Sequence, residues 1–187
     1  MKNIKIALTL FASLGLMAGS AFAATQGEEG TTSEGTSDIS VTIPKLVKIT
    51  GVGDLDGGTY DGGAGGFDED DSVCIYSNMD PGSGLYTVNI TNGNNPAAAP
   101  TAGFYVGSAV TDQEIPFEVA WNDVSGTAGE SAVTHGADLE DQNGFSNEPD
   151  CNGTDNANFR VTMAQADMLA VLPGDYTSTL TILITPQ

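Results

Sequence analysis

Tyr176 to Thr185 reads YTSTLTILIT. Leu180, Ile182 and Ile184 stand two apart, separated by Thr181 and Leu183, the period of two that places one set of side chains on one face of a β-strand. Ile115 to Trp121 (IPFEVAW) repeats the pattern, with Ile115, Phe117, Val119 and Trp121 pointing one way as core candidates. Outward from these two, β-rich runs stand at Leu46–Val52, Ser72–Ser77, Leu85–Thr91, Gly103–Gly107 and Phe159–Met163. Ile39, Val41 and Ile43 alternate with Ser40 and Thr42 just before Pro44, a strand kinked at the proline or a short strand of its own. Between the runs lie Gly, Asn, Asp and Pro clusters: Gly53–Asp71, Asn92–Ala102 and the acidic stretch Asn122–Asp155 read as loop and turn. Only Ala164–Leu172 offers a helical turn. Roughly seven or eight strands with turn signals between them predict an all-β sandwich without tandem repeats.

Composition agrees. The chain has 187 residues and 24 glycines, is 40% hydrophobic and 7% aromatic, which suits short strands joined by turns and is enough for one cored domain. It carries 25 acidic against 5 basic residues, a formal net charge of −20. Nucleic-acid binding needs clustered Lys and Arg, and anionic lipid repels such a chain, so neither partner is expected.

Met1–Ala23 reads as a secretory signal peptide: Lys2 and Lys5, an apolar run Ile6–Met17, then the small-x-small site Ala21-Phe22-Ala23. Three bases, Lys45, Lys48 and Arg160, then face all 25 acids. No later apolar stretch is long enough for membrane insertion. Residues 24–38 are polar and lack a large apolar side chain, which predicts a disordered arm, and residues 39–187 form the sandwich. Secretion makes one disulfide the simplest fate of Cys74 and Cys151; a free thiol pair and half of a metal site are the alternatives, though two cysteines with one histidine make a thin zinc site.

The ending Leu172-Pro-Gly-Asp-Tyr-Thr-Ser-Thr-Leu-Thr-Ile, a G-x-Y-x-x-T-L-x-[IV] pattern, resembles the terminal strand of chaperone–usher fimbrial subunits and of the related spore coat protein U group. Asn156–Met163 resembles the strand before it, and Cys74–Ile90 the central hairpin. The resemblance implies an immunoglobulin-like sandwich of about seven strands that lacks its last one. Tyr176, Leu180, Ile182 and Ile184 would then border an empty groove. A periplasmic chaperone fills that groove in transit, and the outer-membrane usher passes the subunit on. The N-terminal strand of the next copy then takes the chaperone's place, so that a filament grows at the cell surface by strand addition. Ile39, Val41 and Ile43 are the donor candidates. The arm before them lacks alternating apolar residues, and the family's early cysteine is absent from Lys45–Thr50.

The residues offer two other chemistries. Asp54, Asp56, Asp61, Asp68 and Asp70 stand in or beside the Gly-rich loop; a calcium ion takes six to eight such oxygens, and glycine permits the tight loop. A solvated acidic surface is the plainer reading of the same residues. A calcium-stabilised, self-contained adhesion or binding module is the corresponding alternative function. His135 is the only histidine, no G-x-S-x-G elbow accompanies it, and a surface histidine is expected in place of a catalytic base; no enzyme activity is expected. Trp121 is expected in the core.

Overall fold

The computed structural model describes residues 24–93 and 103–187. The signal-peptide segment Met1–Ala23 and most of the Asn92–Ala102 turn lie outside the described residues. The chain divides into two units, Met1–Ile43 and Pro44–Gln187.

In the first unit the polar arm is exposed, as its composition requires, but it is not featureless. Thr25 and Thr36 exchange two backbone hydrogen bonds of 3.0 Å, closing a loop. Ile39, Val41 and Ile43 belong to no strand, and each is more than three-quarters exposed. The strand expected there is absent because a period of two makes a strand only when a partner's backbone is at hand.

The second unit is an all-β sandwich. Its strands are β1 (Val47–Thr50), β2 (Phe67–Ser77), β3 (Tyr86–Gly93), β4 (Phe104–Gly107), β5 (Glu114–Asn122), β6 (Ser131–Ala132), β7 (Asp138–Gln142), β8 (Ala157–Met163) and β9 (Thr179–Pro186). One sheet runs β1-β2-β8-β5-β4, with β6 added to β5; the other runs β7-β3-β9. Every pairing between these strands is antiparallel. A single turn of helix, α1 (Gln165–Leu169), sits within the predicted segment.

Alternation places the core. Ile115, Phe117, Val119 and Trp121 are all buried, with Pro116 and Glu118 between them exposed. Trp121 on the first sheet meets Tyr86 on the second edge-on, ring centroids 6.4 Å apart, and its Nε1–H donates to Tyr86 Oη at 3.2 Å. This satisfies both buried polar tips. Burial pushes the Tyr86 phenol well above its ordinary pKa.

Two segments read as loop prove to be strand. β2 begins at Phe67, not at Ser72, so Asp68–Asp71 is extended backbone despite four adjacent acids. Arg160 explains it: on β8 opposite Asp70, it forks onto Asp68 with Nε and Nη2 both at 2.6 Å. The local sequence shows only repulsion; the neutralising cation arrives from the paired strand. β7 (DLEDQ) is likewise concealed by its acids, with Leu139 alone packed against the core.

The cysteines form the expected disulfide, Cys74 on β2 to Cys151 in a short 3₁₀ turn, 77 residues apart. It fastens the otherwise irregular stretch between β7 and β8 to the first sheet. Closing so long a loop in the unfolded chain contributes about 4 to 5 kcal/mol. Replacing both cysteines by serine should therefore lower the unfolding free energy in urea by about 2 to 5 kcal/mol, a loss that reduction of the native chain should reproduce.

Candidate functional site

A sandwich made of two open sheets has four edges, and each edge exposes unpaired backbone groups. Three are blunted here. β4 is four residues long, and its Gly107 exchanges two backbone hydrogen bonds with Thr177 of the chain entering β9 (3.1 and 3.0 Å). β7 carries three acids in five residues, so a second strand of this acidic chain is repelled. β1 is four residues long and runs beside β9: Cα atoms of the two come within 8 Å, yet no β-pairing joins them. β9 is different. It has eight residues, TLTILITP, without a charged side chain, and it pairs with β3 on one side only.

The inward face of β9 shows what this edge lacks. Ile184 is buried, while Leu180 and Ile182 are only half-buried although both pack on the core. Across the gap stand three more half-buried apolar side chains, Val47 and Ile49 of β1 and Leu55 beyond it. Two rows of apolar residues thus meet at a seam across which, among the described residues, β1 and β9 approach without pairing.

Beside the chain that enters β9 lies a groove of about 880 Å³, lined by Leu55, Phe67, Met163, Met168, Val171 and Tyr176 among others. The wall after β1, residues 51–61, forms no strand. Asp56 and Asp61 accept from the amides of Gly58 and Gly63 (both 2.9 Å), small side-chain turns that hold this wall without a sheet partner. Gly57 lies against the Phe67 ring, where a Cβ would come within 2.5 Å of a ring carbon, so the close approach requires glycine.

Of the acceptor residues expected from sequence, Leu180, Ile182 and Ile184 share one face of β9. Tyr176 does not belong to the strand, which begins three residues later. Its ring lines the groove, and its hydroxyl donates to the Leu172 carbonyl at 2.8 Å and stands 3.1 Å from Thr111 Oγ1. The proline-glycine turn before it explains the late start, because the chain must first cross from β4 to β3. Val47, Ile49 and Leu55, the opposite wall, were not singled out in the sequence. Leu55 had a signal, as the lone large apolar residue between Asp54 and Asp56.

The five calcium candidates do not converge. Asp54 is exposed, Asp56 and Asp61 cap glycine amides, Asp68 pairs with Arg160, and Asp70 accepts from Asn158 Nδ2 at 2.7 Å. Among the described residues no group of three or more His, Cys, Asp or Glu side chains is placed to hold a metal ion. His135 is half-buried and not a surface residue: Nε2 accepts the Asn92 amide at 2.9 Å and the ring packs edge-on to Phe104.

In class, then, the second unit is an all-β sandwich with one uncharged open edge and a groove beside it. No known protein-family model matches the chain, and no curated protein matches it by sequence. Among solved structures it is similar to a chain of a chaperone–tip adhesin complex in CFA/I fimbriae biogenesis, with a TM-score of 0.54 and 17% identity. The match covers 75% of this chain and 41% of that one, so this chain spans about two-fifths of its neighbour's length. At this identity the likeness is one of fold.

The guanidinium of Arg160, mainly through its hydrogen bonds, holds the Asp68 carboxyl below its ordinary pKa of 3.8. A carboxyl depressed in the folded state stabilises above its unfolded pKa and loses that contribution as pH falls through the folded one. Asp68→Asn should therefore lower the melting temperature slightly at pH 7, and the gap to the unsubstituted chain should close on titration below about pH 4.

Proposed function

We propose that this chain is a structural subunit of a bacterial surface filament, a fimbria or a related coat, assembled by donor-strand complementation at the free edge of β9. The observation that carries the reading is the pair of apolar rows, Leu180, Ile182 and Ile184 against Val47, Ile49 and Leu55, flanking a seam with no strand in it. An added strand gains a ladder of backbone hydrogen bonds from β9 and sets alternate side chains against Leu180 and Ile182, which requires β1, whose Cα atoms come within 8 Å of β9, to give way. Ile39, Val41 and Ile43 of another copy have the matching period and are exposed. They are three apolar residues two apart, as are the three on β9.

A chaperone-type partner covers the same edge before assembly, because an uncharged eight-residue edge strand promotes aggregation while it waits. The usher, passage through the periplasm behind the signal peptide and display at the surface belong to the same proposal. The likeness to a fimbrial chaperone–adhesin chain supports it at the level of fold. The role is structural and involves no catalysis.

The test is a denaturing gel of surface-sheared material, unboiled and boiled, probed for this protein. The reading expects a ladder that collapses to monomer on boiling, since a strand-exchanged polymer comes apart only when its subunits unfold. Ile182→Asp, which puts a charge on the groove face, should abolish the ladder. Leu183→Asp, on the exposed outer face, should preserve it. Monomer alone in every lane would overturn the reading.

A further inference from the structure

We infer that the pole of the sandwich at which β9 begins is the contact surface for the body of the next copy, with Lys45 of that copy set against Asp112 and Asp175 of this one. The inference rests on the strand-addition reading above and deepens it.

Chain length carries the first step. The donor candidates end at Ile43 and β1 begins at Val47, so at most about 14 Å of chain joins a donor strand to its own sandwich. At that reach the two bodies are held close together, within range of direct contact.

Direction carries the second. The pairing expected for an added strand is antiparallel to β9, the more stable ladder. Its C-terminal end, Ile43, then lies at the N-terminal end of β9, so the donor's Pro44–Leu46 emerges at the pole formed by Leu172–Ser178 and the β4–β5 hairpin. That pole is held together. Leu172 N–H donates to Gln113 Oε1 at 2.7 Å, and Gly174 lies so close to the hairpin that a Cβ would meet Ser108 and Thr111 at 3.4 and 3.5 Å.

The surface chemistry carries the third. Val110 on the hairpin tip is 90% exposed, and Leu169 and Leu172 beside the groove mouth are 60% and 59% exposed. Solvent gains nothing from three such residues at one end of a small domain, while an interface core does. Asp112 and Asp175, both exposed, rim them. The emerging linker brings Lys45, exposed and without an ion pair among the described residues. In a chain with so few cations, placing one in the linker and acids around the receiving pole orients docking.

The experiment couples amines to adjacent carboxylates with a zero-length carbodiimide, in polymer grown from mixed light and heavy-nitrogen copies. The expected product is an inter-copy amide from Lys45 to Asp112 or Asp175, lost in Lys45→Arg. The double variant Val110→Glu with Leu172→Glu should melt like the unsubstituted chain, since both sites are exposed, yet assemble about tenfold more weakly. A normal ladder in which Lys45 couples only to other sites would overturn the pole contact and leave strand addition standing. Absence of a ladder in the unsubstituted chain would overturn both.

Discussion

The second sheet sets three strands against a first sheet of five in continuous order plus the short β6, and the core between them is therefore covered unequally. On one side β7 and the disulfide-tethered stretch behind it close the sandwich. On the other, β1 and β9 approach without pairing, and half-buried Leu180 and Ile182 face half-buried Val47 and Ile49. An apolar side chain gives up its stabilisation in proportion to the area left wet. The seam is thus the place where this fold has unrealised burial, which the proposed added strand would complete.

The distribution of charge leaves β9 as the one unguarded edge among the described strands. Acids guard β7, a strap through Thr177 occupies β4, and the same chain then turns past Ser178 to become β9. The cation that would blunt an edge strand in a self-sufficient sandwich is missing from β9, whereas Arg160 is spent inside the first sheet, allowing Asp68–Asp71 to run as strand. With few bases in the chain, the position of each is a structural decision: Lys48 pairs with Asp150 next to the disulfide, and Lys45 is left at the root of the exposed Ile39–Ile43 segment.

Much of this was legible in the sequence where alternation was uninterrupted. Ile115–Trp121 predicts its own burial residue by residue, and Leu180, Ile182 and Ile184 share the expected face. The cysteines pair as the simplest expectation had it. What was illegible depends on partners far along the chain. β2 looked like loop from Phe67 to Asp71 because its neutralising arginine lies on β8. β7 looked like loop because an edge strand with one wet face needs only Leu139 to anchor it. Ile39–Ile43 has the period of a strand but no strand partner among the described residues. The family resemblance implies a groove along Leu180, Ile182 and Ile184; the core contact of Leu55 has no such signal, since Leu55 sits among glycines and aspartates. The carboxylates nearby were candidates by spacing alone, and the fold engages them one at a time.

The central claim is that β9 accepts a strand at its free edge. Amide hydrogen exchange on the monomer, with and without a synthetic peptide spanning residues 37–45, tests it most directly. The account predicts that, in the free monomer, the outward amides of β9 exchange quickly while its amides bonded to β3 are protected. Adding the peptide should slow the outward set at alternate residues from Thr179 to Thr185. Unchanged exchange along β9 at saturating peptide, or outward amides already protected in the free monomer, would contradict it.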